Sequence, residues 1–176
     1  FEEATELMRL ARENNVMYTT APDTFLGAWE QSARKYLDDG IIGKPMTIHA
    51  QITSHYEPES PFFDLAPKYF FFPLHYGGFP FDLGGYYLHE MINLLGSIKR
   101  VTGFGGNINP IRTYANPKHP KYKETFEVNT PTTLMAALEF ENGVLGTFHI
   151  SSDSFPSQSF VVTGTDGTFK LGDPNM

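Results

Sequence analysis

Hydrophobic spacing divides the chain into an early helical part and a later part rich in strands. Ala4, Leu7, Leu10 and Ala11 fall close to one helical stripe, and Asn14-Asn15 ends it. Val16-Met17-Tyr18-Thr19-Thr20 reads as a short buried strand, broken by Ala21-Pro22-Asp23 because proline lacks a ladder donor. A second helix is predicted from Thr24 to Leu37. Asp23 or Thr24 would cap it, Leu26, Trp29, Ala33, Tyr36 and Leu37 form its apolar face, and Gly40 lies just past its end. From Lys44 to Tyr56 the period falls to two, with Met46, Ile48, Ala50 and Ile52 alternating against polar neighbours, which predicts a long strand. Residues 57–80 are dense in proline and aromatics, and two readings stand open: a cover on the core or a wall of a ligand cleft. Beyond Gly96 the pattern is β-rich. A strand opens at Arg100, residues 107–131 form a polar loop, and two hairpins turn at Asn142-Gly143 and Asp166-Gly167. Helices first and antiparallel strands after them predict an α+β domain.

The segment from Gly77 to Gly96 carries the candidate chemistry. As a helix it would place Phe81, Leu88, Ile92 and Leu95 on one face to dock on a sheet. Asp82, Tyr86, His89 and Asn93 would form a second stripe of hydrogen-bonding groups suited to gripping hydroxyls. Gly84 and Gly85 inside this helix each cost about 1 kcal/mol against alanine, so a ligand, a cofactor or a neighbouring strand is expected to approach closely there. The plainer reading of the polar stripe is a solvated helix face.

Composition narrows the classes. Hydrophobic residues are 40% and charged residues 19% of 176, enough apolar content for a sizeable core. A formal charge of -7 argues against nucleic acid and anionic membranes as partners. The absence of cysteine excludes disulfides, zinc–thiolate sites and cysteine nucleophiles. No metal-ligand spacing joins the six histidines, and no glycine-rich dinucleotide turn or Walker loop occurs, so neither a metal site nor a cofactor-binding loop is expected within these residues. No apolar run approaches a membrane span, and the cytoplasm is the expected compartment.

The order of these features resembles the glucose–fructose oxidoreductase/inositol dehydrogenase/MocA family. The residues that carry the likeness are Tyr18–Phe25, Leu37–Pro45, the Gly-Gly…Asp-Leu-Gly-Gly-Tyr helix and the Asn-Gly hairpin. The resemblance implies a C-terminal substrate domain with a large, mostly antiparallel sheet packed on helices. Residues 1–23 are then expected to be the last helix–strand unit of an N-terminal Rossmann domain, and residues 24–176 the substrate-binding and oligomerisation domain, truncated at its end. It further implies hydride transfer between NAD or NADP and a sugar, cyclitol or related polyol. The dinucleotide fingerprint and a catalytic lysine would lie before Phe1.

Carried over by position, the family's Asp-x-x-x-His falls on Asp82 and Tyr86, which the resemblance makes the catalytic pair. His89, Asn93 and Asp23 follow as candidate substrate-binding residues. Tyrosine in place of histidine changes the chemistry, because a phenol titrates near ~10 and imidazole near ~6.5. A neighbouring ammonium would favour the phenolate or take over the proton transfer. The alternative function is a non-catalytic carbohydrate-binding or assembly module of the same fold. Apolar residues on both faces of the hairpin strands, Leu134, Ala136, Leu138 and Phe140 against Met135, Ala137 and Leu145, predict a homodimer or higher oligomer through the sheet. The 176 residues alone are expected to bind NAD(P) negligibly and to be inactive.

Overall fold

The computed structural model describes residues 2–19, 22–54, 78–114 and 117–172, so most of the aromatic stretch at 57–80 lies outside the described residues. Helix α1 spans Glu2–Glu13. Asn15 takes a left-handed φ of 53°, and the Val16 N–H closes on the Ala11 carbonyl at 3.0 Å, which stops α1 where two asparagines predict it. The strand expected at Val16–Thr20 does not form over the described residues 16–19, and Met17 is 93% exposed. A strand needs a neighbour to take its backbone groups, and no described strand lies beside this segment.

The predicted second helix divides in two. A 3-10 turn, Thr24–Leu26, precedes helix α2, Ala28–Asp38. Gly27 caps α2, and neither Asp23 nor Thr24 is in the expected capping role, since no side-chain cap bond forms at Asp23. Gly40 past the end has a φ of 71°, the left-handed conformation that glycine adopts without strain. Strand β1 covers Pro45–Thr53 and buries Ile48, Ala50 and Ile52 on one face, as the alternation predicts.

Helix α3, Gly78–Leu95, follows. After it come β2 (Ile98–Gly106), β3 (Ile111–Thr113), β4 (Thr125–Glu127), β5 (Thr133–Phe140), β6 (Leu145–Ser151), β7 (Ser157–Gly164) and β8 (Thr168–Leu171). Six strands form one mixed sheet in the order β2-β5-β6-β1-β7-β8, giving the α+β architecture. Strand β1 runs parallel to β6 and antiparallel to β7, so it joins the β5–β6 hairpin to the β7–β8 hairpin. At the β5–β6 turn Gly143 has a φ of 85°, and the Asn142 amide donates to the Leu95 carbonyl at 2.8 Å, tying the turn to the end of α3. Residues 107–131 are more ordered than a polar loop. Strands β3 and β4 pair within them, and a buried ion pair from Arg112 to Asp153 pins this small hairpin to the main sheet. Arg112 is thereby neutralised inside the fold.

Helix α3 lies on the sheet one residue out of the expected phase. Phe79, Tyr87, Met91 and Leu94 are buried, whereas Phe81 is 75% and Ile92 39% exposed. The reason is the two places where a side chain is missing. A Cβ on Gly84 would stand 3.3 Å from the Phe148 ring, so the ring of β6 fills the notch in the helix. On the sheet, a Cβ on Gly146 would stand 2.9 Å from Ile48 Cγ2 and 3.3 Å from Met91 Cε, so the helix fills a notch in β6. Of the alternatives open at Gly84, a neighbouring strand is the one observed. Met91→Ala should cost about 2–5 kcal/mol and Gly146→Ala about 1–3 kcal/mol by overpacking, while Ile92→Ser should stay within about 0.5–1 kcal/mol. Urea midpoints of the three variants check this phase, and equal losses at Met91 and Ile92 would refute it.

Candidate active site on the outer face of helix α3

With Gly84, Tyr87 and Met91 turned to the sheet, the stripe Asp82, Tyr86 and His89 lies on the side of α3 away from the deepest packing. Asp82 opens it. Partial desolvation raises its carboxyl above the ordinary value for an aspartate. Tyr86, one turn on, is half-buried, with its ring against the apolar core.

His89 is the most firmly placed of the three. Its Nδ1 lies 3.1 Å from the Pro22 carbonyl, and its ring meets Phe25 edge-on with centroids 5.2 Å apart. A carbonyl only accepts, so Nδ1 carries the proton and Nε2 is left as the acceptor of the neutral ring. Pro22 also closes on the helix at Gly85, where a Cβ would stand 3.4 Å from its Cγ. The segment before α2 thus crosses α3 at His89. Asp23, next in the chain, is exposed, and its carbonyl accepts the Leu26 N–H at 2.9 Å.

Asn93 is placed differently from the other candidates. Its amide donates to Glu90 Oε2 at 3.4 Å, and its backbone carbonyl accepts from Arg34 Nη1 at 3.2 Å, so it faces the α2–α3 junction. Glu90 is the residue that pattern reading missed. It is fully buried, and burial together with the nearby Glu30 pushes its carboxyl up to about 8, against the opposing bond from Asn93. The available signal was its phase: Glu90 falls three residues after Tyr87 and four before Leu94, on the buried stripe.

A cavity of about 450 Å³ opens where β1 ends and β7 begins. Thr53, Ser54, Ser157 and Gln158 line it together with Ile52 and Leu83, the neighbour of Asp82. Hydroxyl and amide groups over an apolar floor suit a small polyhydroxylated ligand. Among the described residues no cluster of three or more acidic or histidine side chains suits a metal ion, and no helix is long and apolar enough to cross a membrane.

The same architecture occurs in solved structures of oxidoreductases. An NAD binding oxidoreductase from Klebsiella pneumoniae matches with a TM-score of 0.74 at 22% identity, over 98% of this chain and 44% of that one. A levoglucosan dehydrogenase in complex with NADH and L-sorbose matches at 0.73 and 19% identity, over 96% of this chain and 44% of that one. The WlbA dehydrogenase from Bordetella pertussis, in complex with NADH and UDP-GlcNAcA, matches at 0.75 and 17%, over 97% of this chain and 47% of that one. The chain therefore spans less than half the length of these proteins. Curated protein sequences gave no match. The model of the GFO/IDH/MocA C-terminal domain matches residues 31–170, a span that holds β1, all of α3 and the six-stranded sheet but for the last residue of β8, and on that match the chain belongs to the GFO/IDH/MocA family.

Proposed function

We propose that this chain is the substrate-handling part of an NAD(P)-dependent oxidoreductase acting on a sugar, cyclitol or related polyol. The observation that carries the reading is the stripe Asp82, Tyr86 and His89 on the face of α3 turned away from the sheet, with His89 fixed by Pro22 and Phe25. Support comes from relatives of the same fold that are NAD-linked oxidoreductases, one in complex with L-sorbose and one with UDP-GlcNAcA. The described residues fit the side of the reaction that meets the substrate hydroxyl. They do not fit the dinucleotide's pyrophosphate: the sequence has no glycine-rich turn, and Glu30 occupies the first turn of α2, where such an anion would otherwise be held. When bound through residues outside this chain, NAD or NADP supplies the hydride acceptor.

Oxidation of an alcohol removes a proton from oxygen and a hydride from carbon. Tyr86 takes the proton side: as a phenolate it accepts the hydroxyl proton, and as a phenol it accepts that proton while giving its own to a base outside the chain. Asp82 accepts a hydrogen bond from the substrate hydroxyl and so orients it. His89, fixed through Nδ1 by Pro22, offers Nε2 to a second hydroxyl and so sets which carbon faces the acceptor. Asp23 stands at the rim of this corner. Asn93 acts one step back, holding the junction beneath His89.

The face of the sheet away from α3 is proposed to join copies of the chain. Phe104 is 89%, Leu145 59% and Met135 54% exposed there, around a shallow apolar hollow that His49 and Thr147 also line.

In the intact protein, Tyr86→Phe should lower kcat by about 10² to 10⁴ with little loss of stability, once a panel of sugars and cyclitols with NAD and NADP has identified the substrate. Full activity in Tyr86→Phe would remove it from proton transfer, and no turnover with any panel member would favour the non-catalytic module. Light scattering at micromolar concentration should give a dimer or higher, and Phe104→Glu should shift it toward monomer. A monodisperse wild-type monomer would refute the interface.

A further inference from the structure

Each carbonyl from Pro22 to Phe25 accepts a bond from a different source. The Pro22 carbonyl takes His89 Nδ1 of α3 at 3.1 Å. The Asp23 carbonyl takes the Leu26 N–H at 2.9 Å and that of Thr24 the Gly27 N–H at 2.7 Å, which closes the 3-10 turn. The Phe25 carbonyl accepts from Gln31 Nε2 at 2.7 Å. Gln31 stands in α2, and its own N–H bonds the Gly27 carbonyl at 3.0 Å. The segment is therefore tied at one end to α3 through His89 and at the other to α2 through a side chain.

The two contacts that fix the His89 ring both come from this segment. The Phe25 ring meets it T-shaped, with centroids 5.2 Å apart at 65°, and the Pro22 carbonyl sets which ring nitrogen holds the proton. A 3-10 turn as short as Thr24–Leu26 has poorer hydrogen-bond geometry than an α-helix and depends on its surroundings to stay in place. The bond from Gln31 anchors the very residue whose ring covers His89. A carbonyl only accepts, so what this position requires is a donor, not bulk. Gln31 is exposed, so its effect is not one of core packing.

We propose that Gln31 is a positioning residue that, by holding the Phe25 carbonyl, keeps Pro22 and Phe25 on the His89 ring and so aims Nε2 at one hydroxyl of the substrate. The proposal rests on reading α3 as the reactive helix. Gln31 touches no substrate. Its effect reaches the ring through Phe25 and Pro22, and without it the ring moves between orientations and its proton exchanges between the two nitrogens. With the turn seated, His89 presents an acceptor to a single hydroxyl, and a polyol lacking that hydroxyl forfeits the bond. Selectivity among polyols that differ at one hydroxyl is thus the property that Gln31 controls.

The test uses the intact protein with isotope-labelled histidine, the His89 signals being assigned by their loss in His89→Gln. In mildly alkaline buffer the wild-type ring nitrogens should show the Nδ1–H tautomer. Gln31→Met keeps the length and the helix propensity but has no donor, and it should give shifts averaged over both tautomers. It should also raise KM by about 2- to 10-fold with kcat within about twofold, the effect of one water-exposed hydrogen bond made equally in ground and transition states. Preference among panel sugars and cyclitols that differ at one hydroxyl should fall by the same factor. Gln31→Lys, which restores a donor of similar reach, should return shifts and KM toward wild type. Ser32→Ala, which removes an exposed bond from the next residue to the Ala28 carbonyl, should change neither.

An Nε2–H tautomer in wild type, wild-type shifts and KM in Gln31→Met, no recovery in Gln31→Lys, or an equal change in Ser32→Ala overturns the proposal. Should Gln31→Met fail to fold, Gln31→Glu, of the same shape and without a donor, takes its place. Averaged shifts in Gln31→Met without wild-type turnover of any panel member retain the anchor and reject α3 as the reactive helix. Wild-type turnover with shifts and KM unmoved in Gln31→Met rejects the anchor alone.

Discussion

The rotation of α3 about its own axis determines what this domain can do, and two missing side chains fix it. Gly84 on the helix receives Phe148 from β6, and Gly146 on β6 receives Met91 from the helix. Each notch is filled by a bulky group from the other element, so the helix can neither turn nor slide without forcing an atom into occupied space. Turning α3 by one residue, about 100°, would carry Asp82, Tyr86 and His89 out of register with Pro22 and Phe25. The polar face is thus set from behind, by the packing of the opposite face of the helix on the sheet.

The strands were readable because their signals are local. The alternation of Ile48, Ala50 and Ile52 and the turn at Asn142-Gly143 each need only neighbours in sequence to be interpreted. The phase of α3 was not readable from periodicity, because apolar residues lie all round it. Phe79 and Phe81, or Met91 and Ile92, compete for the core, and one of each pair is exposed. Gly84 was the better guide, since the face without a side chain is the one that approaches the sheet. The strand expected at Val16–Thr20 was a valid local pattern without a described partner to complete its ladder.

The candidate site divides along the same line. Asp82, Tyr86 and His89 share a stripe that helical spacing alone places together. What fixes His89 comes from Pro22 and Phe25, 67 and 64 residues earlier in the chain, and no spacing rule joins them. Asn93 falls on the same stripe and donates to Glu90 one turn back on its own helix. Glu30 lies in the first turn of α2 and is buried, a placement that helical spacing alone does not reveal.

The parallel pairing of β1 with β6 also bears on how the domain is assembled. Thr47 lies opposite Leu145, so this ladder closes only after nearly a hundred residues of intervening chain have been gathered in. The β5–β6 and β7–β8 hairpins need only short loops and can close much sooner. Until β1 inserts between them, β6 and β7 each present an unsatisfied backbone edge to solvent. The hazard of intermolecular strand pairing is therefore greatest during folding, and the arrival of β1 seals both edges in one event.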